Sequence, residues 1–477
     1  MRPMTPHAAS PASTGPSDPI SASTTMAPSF ADLAKGRPLV VAAEMGYGHL
    51  RPARSLALAL GVPLFRAESA PLCDEAEAGR WSRVRRGYDA LVRASQTPIV
   101  GGPFDALLRA ITEIPTFHPR RDLRRADLGV TSLRRLIDRG LGAGMVAALR
   151  ADPRPLLTTF YAPAIVADAH GLDDVWCVIT DTDCARIWVS ERPESSRVRY
   201  LAPSDRVRRR LEAYGVPPEH IHQTGFPLPP QLTGGDDLGA LRLNLAARLR
   251  RLDPKGRFVA QHRAELETFL PEVEAAADPR PPLLLFAVGG SGAQVDIAVA
   301  ALPGLLRLVR ERRLRLGLIA GIRPEVHAAF VAALGRAGAS EAGVDEVIAG
   351  STDGVALVYE PHFDAYAAGF DRMMGAADAL WTKTSEMSFY AALGLPIVMA
   401  PAVGVQERYN RRWLSEAGAG VEQRPPRDAG DWMIELLHDG VLARAAWTGF
   451  LRLPKRGSHE ICRLVTGAGP APGLGIG

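Results

Sequence analysis

From Pro38 onward the chain alternates short apolar runs with longer stretches whose apolar positions recur at helical spacing. "PLVVAA" predicts a strand, and "RPARSLALAL" predicts the helix that follows it. "PLLTTF" and "VWCVIT" predict further strands, and "DRVRRRLEAYG" predicts a helix ending at Gly215. Apolar runs this continuous suit strands buried on both faces, as in a parallel sheet covered by helices. Between Thr233 and Arg280 the pattern changes to charged, helix-prone sequence without strand runs. Alternation resumes at Pro282 with "LLLFAV", then Gly289-Gly290-Ser291-Gly292, then the helical "AQVDIAVAALPGLLRLVRE". "LRLGLIAG", "GVALVYE", "DALWT" and "PIVMAP" predict the remaining strands. Trp432 to Leu464 is expected to be largely helical and to pack back on the first half.

Two blocks of strand–helix alternation predict an α/β chain of two Rossmann-like, doubly wound domains facing a central cleft. The expected boundaries are a disordered leader (1–37), a first domain (38–232), a helical connection (233–280), a second domain (281–430), C-terminal helices (431–466) and a disordered tail (467–477). In such sheets ligands bind at the carboxyl ends of the strands, so the turns there are where chemistry is sought.

Composition narrows the class. The chain has 477 residues, 47% hydrophobic and 23% charged, which gives each domain material for its own core. No apolar run approaches the roughly 18 residues of a membrane span. Cys73, Cys177, Cys184 and Cys462 show no CxxC spacing, which argues against zinc and a disulfide framework and makes a cytoplasmic setting the default. Residues 1–37 are rich in Pro, Ser, Thr and Ala and lack the apolar stretch of a signal peptide; Met26 is a second candidate start. The net charge of +4 excludes a general polyanion binder. Arginines do crowd one segment: Arg83, Arg85, Arg86, Arg120, Arg121, Arg124, Arg125, Arg134 and Arg135. They suit either a solvated helical face or contact with an anionic surface. "TPIVGGPFDALLRAITEIPTFHPRR" (Thr97 to Arg121) likewise suits either membrane docking or a core helix with a basic cap.

Three stretches carry candidate chemistry. "GYGH" (Gly46 to His49) sits between the first strand and its helix. "AVGGSGAQ" (Ala287 to Gln294) lets backbone approach a ligand closely, and the following helix start suits a diphosphate, although tight strand–helix turns need glycine in any case. "WTKTSEMSFYAALGLPIVMAP" sets Lys383, Thr384, Ser385 and Glu386 at a strand-to-helix junction, where they could also form a capping box. "VGVQERYNRRWL" then puts Gln406, Glu407 and Asn410 on about one helical turn, where amide and carboxylate groups can meet sugar hydroxyls.

In this order, "GYGH", "GGSG" and "GLP…QExxN…GAG" resemble the two-domain GT-B glycosyltransferases related to monogalactosyldiacylglycerol synthase, processive diacylglycerol glucosyltransferase and the N-acetylglucosaminyltransferase that forms lipid II. "LAPSDRVRRRLEAYGVPPEHIHQTGFPLP" is similar to the segment ending the first domain of those enzymes. The resemblance runs over Pro38 to Arg427 in layout and is close only at these motifs. It implies an inverting transfer from a nucleotide sugar, usually UDP-linked, to a lipid or small-molecule hydroxyl, with no protein-held metal, no resident cofactor and no nucleic-acid partner. Many such enzymes work at a cytoplasmic membrane face. It implies His49 as general base on the acceptor side with Gly46 and Gly48, and Gly289, Gly290, Ser291 and Gly292 as the donor diphosphate turn. Lys383 to Glu386, Gln406, Glu407 and Asn410 fall to the donor. Asp181 is a second catalytic candidate, orienting base or acceptor.

The sequence also departs from that pattern. Where relatives carry a ribose-binding glutamate five residues before the glycine of "GLP", this chain has Phe389, with Glu386 one helical turn back. In the "TD…H…W" pattern Thr180, Asp181 and Trp188 are present, but Ala185 stands at the histidine position, with Asp183 and Arg186 beside it. Tyr47 stands where relatives often have a third glycine. A nucleotide-sugar epimerase of the same fold and a non-catalytic sugar or lipid binder are therefore competing readings.

Overall fold

A computed structural model describes residues 34–95, 113–276, 278–288, 292, 294–402 and 404–468. Among these, β1 (Leu39–Ala42), β2 (Leu64–Arg66), β3 (Leu156–Thr158), β4 (Val175–Val178), β5 (Arg199–Ala202) and β6 (Ile221–Gln223) form one sheet, ordered β2-β1-β3-β4-β5-β6. A second sheet holds β7 (Leu283–Ala287), β8 (Arg315–Gly321), β9 (Glu341–Ala342), β10 (Val355–Tyr359), β11 (Ala379–Lys383), β12 (Ile397–Ala400) and β13 (Gly420–Glu422), ordered β13-β12-β11-β7-β8-β10-β9. Every pairing in both sheets is parallel. The chain thus has two Rossmann-like α/β domains, as its alternation predicts.

Successive side chains alternate across a strand, and both faces of β1 are covered. Val40 and Ala42 enter one hydrophobic core, while Leu39 and Val41 enter the other. The same arithmetic accounts for the uninterrupted apolar strands of the second sheet, whose Leu283–Ala287 are all buried.

Sheet order positions the site. β2 and β3 flank β1 on opposite sides, and β8 and β11 flank β7 in the same way. At such a switch point the chain leaves neighbouring strands in opposite directions and opens a crevice at their carboxyl ends. Gly46–His49 follow β1, Thr159 follows β3 and Thr180–Asp183 follow β4. In the second sheet Thr384–Glu386 follow β11, and the helix Val405–Ala417 follows β12. Of the glycine turn after β7, Gly289, Gly290 and Ser291 lie outside the described residues, and Gly292 lies within them.

The described residues between Thr233 and Arg280 form the helices Gly239–Leu252, Arg257–Gln261, Arg263–Phe269 and Glu272–Ala275 and no strand. The first of these is tied to the second sheet through buried arginines. Arg251 donates Nε and Nη2 to Asp378 at 2.9 and 2.7 Å, and Arg248 donates to the carbonyls of Ala377, Leu393 and Gly394. Asp378 is fully buried and also accepts the Leu283 N–H at 2.7 Å. The last helix, Gly457–Thr466, packs on the helix Tyr47–Leu60, and Ser458 Oγ donates to the Leu228 carbonyl at 2.5 Å. The last helix therefore lies against the first domain.

Two local expectations need amending. Glu386–Leu393 is a tight three-residue-per-turn helix with all eight residues buried, and Ser385 provides no side-chain cap. Glu386 does not cap this helix, because its carboxylate pairs with Arg51 of the other domain. Of Thr97–Arg121, residues 97–112 lie outside the described residues; Glu113–Arg121 is irregular chain, not a helix. There the Ile114 carbonyl accepts Tyr409 Oη at 3.1 Å, and Phe117 lies 3.9 Å beneath the Arg210 guanidinium. Arg83, Arg85, Arg86, Arg134 and Arg135 are exposed on their helices. No helix among the described residues is long and apolar enough to cross a membrane.

Candidate functional site

Gly46, with φ of 124°, makes the bend that only a residue without Cβ adopts readily, and the helix Tyr47–Leu60 starts directly after it. His49 lies in the first turn, half-buried. Its Nδ1 is 2.9 Å from the Thr159 carbonyl and 3.2 Å from Thr180 Oγ1. A carbonyl can only accept, so Nδ1 carries the proton and Nε2 keeps its lone pair. Thr159 Oγ1 donates back to the His49 carbonyl at 2.6 Å, which fixes the turn. Phe160 meets the ring edge-on at 4.8 Å, with Trp188 at 5.9 Å. Burial in this aromatic wall lowers the imidazole pKa to about 4, against partial support from the Thr159 bond and Glu386. The ring is therefore neutral at physiological pH.

Beside it, residues after β4 meet the second domain through Asn410. Thr182 donates its N–H at 3.0 Å and its hydroxyl at 2.8 Å to Asn410 Oδ1. Asn410 Nδ2 donates to Asp181 Oδ1 at 3.0 Å and to the Thr384 carbonyl at 3.4 Å. The amide is fully buried and fully used. The structure thus gives Asn410 a place in the seam between the sheets, where all four of its bonds go to protein. Thr384 Oγ1 donates to the Glu407 carbonyl at 2.6 Å, and Lys383 Nζ pairs with Glu407 Oε1 at 2.5 Å. Glu407 Oε2 also accepts the Gly404 N–H at 3.2 Å, capping its own helix. Gln406 is half-buried on the same turn, and Ser385 Oγ is buried without a hydrogen-bond partner.

Burial raises the Asp181 carboxyl to about 6; the Asn410 bond opposes this, and Glu386, Glu407 and Asp183 add to it. The sign follows from linkage. Between the unfolded value of about 3.9 and the folded value near 6, the native state binds the extra proton, so its stability falls as pH rises through that window. Asp181→Asn keeps an oxygen for Asn410 and removes the charge. Its melting temperature relative to wild type is expected to climb between pH 4 and 6 and to stay level above; a pH-independent difference would show that Asp181 is not desolvated.

One face of the first helix inserts three side chains into the second domain at i, i+4 and i+7 spacing. Tyr47 Oη accepts the Ile322 N–H at 3.1 Å, and its ring lies 5.3 Å from Tyr366. Arg51 stacks 4.2 Å over Phe370, pairs with Glu386 and donates to Tyr366 Oη. Arg54 pairs with Asp371 at 2.5 Å, which Gln231 also reaches at 2.7 Å. Gly48 lies against Glu386: a Cβ there would be 3.4 Å from Oε2. Phe389 is buried in a stack on Phe226 of the first half, with centroids 4.4 Å apart and planes 6° from parallel. Beyond β4, Asp183 is a buried counterion for Arg210 (2.8 Å) and Arg206 (2.7 Å), and Arg186 donates to the carbonyls of Val189, Ser190 and Arg124. Both are structural in this fold.

Sequence reasoning noted Tyr47 only as a departure from the glycine turn and passed over Arg51, Thr159 and Phe160. The i, i+4, i+7 spacing of Tyr47, Arg51 and Arg54 was an available signal, since two cations on a helix face that must be buried call for partners elsewhere in the chain. Thr159 and Phe160 carry no sequence signal, because their role depends on β3 lying beside β1.

Residues 273–446 match the model of a domain of unknown function, DUF6938. A search of the curated proteins returns no match. Among solved structures the chain is similar to the MurG of Acinetobacter baumannii, at 13% identity over 90% of this chain and 99% of that one, with a TM-score of 0.44. It is similar to the UDP-GlcNAc 2-epimerase of Neisseria meningitidis bound to UDP-GlcNAc, at 11% identity over 89% and 98%, with a TM-score of 0.43. It is also similar to the glycosyltransferase SnogD of Streptomyces nogalater, at 15% identity over 91% and 99%, with a TM-score of 0.43.

Proposed function

We propose that this chain is an inverting glycosyltransferase that moves a hexose-type sugar from a nucleoside-diphosphate donor to a hydroxyl of a lipid or small-molecule acceptor. The observation that carries this reading is His49. It stands at the switch point of the first sheet with Nδ1 committed to a carbonyl and Nε2 left as a lone pair, and its neighbour Gly48 lies against Glu386, just after β11 of the second sheet. The acceptor oxygen forms the new bond to the anomeric carbon as the bond to the diphosphate breaks on the opposite face. The acceptor proton passes to His49 Nε2. Charge gathers on the leaving diphosphate, and this reading assigns it to the glycine-rich segment after β7, since a helix start that follows glycines favours an anion. Asp181, held by Asn410, is the second catalytic candidate, in the role of orienting the acceptor or the base. No resident cofactor or protein-held metal enters this scheme, and a cytoplasmic location, with the exposed arginines toward an anionic membrane, goes with it.

A thermal-shift panel of nucleoside diphosphates and nucleotide sugars tests the donor half. A ligand at a hundred times its dissociation constant stabilises the native state by about 2.7 kcal/mol. At least one diphosphate is expected to raise the melting temperature, and a flat response across the panel would remove the reading.

A second reading has its own support. Phe389 is locked against Phe226, and Glu386 is held by Arg51, so neither offers a free carboxylate to a ribose. A non-catalytic binder that kept the fold fits those two residues. It would bind a sugar nucleotide or lipid without turnover.

A further inference from the structure

The second sheet has a cavity of about 380 Å³ at its amino edge, opposite the strand ends that carry the proposed chemistry. Pro281 and Pro282, which lead into β7, form one wall. The helices Gly239–Leu252, Val295–Arg310 and Ala429–His438 come to their carboxyl ends around the others. The lining is one-sided in charge. Arg250, Arg251, Arg280, Arg312 and Arg313 line it against a single carboxylate, Asp278.

That carboxylate is already taken. Arg280 Nε donates to Asp278 at 2.8 Å, and Arg251 pairs with it while giving Nε and Nη2 to Asp378. The other three arginines have surplus charge. Arg250 gives Nε to the Val273 carbonyl at 2.9 Å, and among the described residues neither it nor Arg312 has a carboxylate partner. Arg313 meets Glu311 at 3.3 Å in a pair with both side chains exposed, which contributes little. Arg312 is held at φ 54°, a conformation that glycine adopts more readily, yet an arginine stands there.

Cations do suit helix carboxyl ends, where they meet a partial negative charge. Here backbone N–H groups serve the last carbonyls: Arg312 N–H bonds Val309, Arg313 N–H bonds Leu308 and Asp439 N–H bonds Glu435. The guanidinium groups of Arg312 and Arg313 stay outside those caps. His438, also in the lining, registers the resulting field. Desolvation first, then the charges of Lys255, Arg313 and Arg257, hold its pKa below the ordinary value, against Asp439. Like charges gathered at one concavity repel, and a bound anion relieves that repulsion.

We propose that this cavity is a second ligand site, separate from the cleft, for a small molecule bearing two or more phosphate groups. Arg250, Arg312 and Arg313 take its phosphate oxygens, which the paired N–H donors of a guanidinium match in geometry. The volume suits a metabolite-sized anion, and the concave shape distinguishes the site from a flat basic face for membrane or nucleic acid. An occupant bridges the helical connection, the entry to β7 and a C-terminal helix, so it stabilises the native state. The site does not depend on the nucleotide-sugar reading.

Calorimetric titration and melting of the full chain with pyrophosphate, tripolyphosphate and a hexose bisphosphate test it, with inorganic phosphate as the comparison. Wild type should bind at least one of the three more tightly than inorganic phosphate. Arg312→Glu combined with Arg313→Glu reverses two exposed charges. It should weaken that ligand roughly 10- to 100-fold and remove its melting shift. Arg139→Glu combined with Arg150→Glu makes the same charge change at exposed positions of the first domain, and should leave affinity within about twofold. Equal loss in both double variants would reduce the binding to general charge attraction and overturn the site. Unchanged binding in the Arg312 and Arg313 variant, or no binding of any of the three by wild type, would overturn it as well. Should that variant melt early, Arg312→Gln combined with Arg313→Gln decides: wild-type affinity in it would contradict the assignment.

Discussion

His49→Ala is expected to slow sugar transfer by roughly 10²- to 10⁴-fold while leaving nucleoside-diphosphate affinity within about twofold of wild type. The split follows from geometry. The imidazole belongs to the first sheet and is held by Thr159 and Thr180, whereas the donor's diphosphate is assigned to the second. The side chain also packs on Phe160, so a melting curve must accompany the rate. The pH profile adds a readout that packing alone would not move. Because burial holds His49 near 4, it stays unprotonated down to that pH, and its loss as a base belongs to an acid limb near 4 instead of the 6.5 of a free imidazole. An acid limb near 6 would instead report Asp181 as the group that must be ionised. Asp181→Asn would abolish that limb and leave one near 4. Wild-type turnover in His49→Ala would remove the base assignment outright.

Asp378→Ala is expected to be the most damaging single change to stability. Asp378 is fully buried at the head of β11 and binds three groups at once. Arg251 reaches it through Nε and Nη2, the Leu283 N–H opens β7 against it, and Arg315 stands at 3.5 Å. Removing the carboxylate leaves two buried guanidinium groups without their common counterion, at a cost of about 3–5 kcal/mol. Against a usual native stability of about 5–15 kcal/mol, that is a large fraction. The loss should appear as a melting temperature lower by roughly 10 °C. Asp378→Asn keeps the acceptor for Leu283 and should lose less. The same network ties the helix Gly239–Leu252 to the second sheet: among the described residues Arg248 and Arg251 are its polar anchors there. Near-native melting of Asp378→Ala would mean that the arginines find other partners.

The architecture was readable because parallel strands buried on both faces leave continuous apolar runs, and the helices between them leave a different period. Position at strand ends then picked out the turns that meet at the two switch points. Contacts between the domains were not readable. Asn410 looked like a ligand contact because an amide on an exposed helix turn has no partner in its own segment; its partners, Thr182 and Asp181, come from the other sheet. Tyr47, odd in a glycine turn, makes sense once Ile322 and Tyr366 stand opposite it. Phe389 likewise finds its reason in Phe226, far away in sequence. Glu386–Leu393 looked like an ordinary helix because burial of every residue erases the amphipathic period that distinguishes one helix from another.

The central claim is transfer of a sugar from a nucleotide donor, and product analysis tests it most directly. Purified full-length chain is incubated with a panel of nucleotide sugars, with and without a broad panel of lipid and small-molecule hydroxyl acceptors. Mass spectrometry then follows the free nucleoside diphosphate, the donor sugar and any glycosylated product. The expected result is release of one diphosphate for each glycosylated acceptor, dependent on acceptor and lost in His49→Ala. A donor sugar whose configuration changes without any acceptor, or a donor that binds and is never consumed, would contradict it.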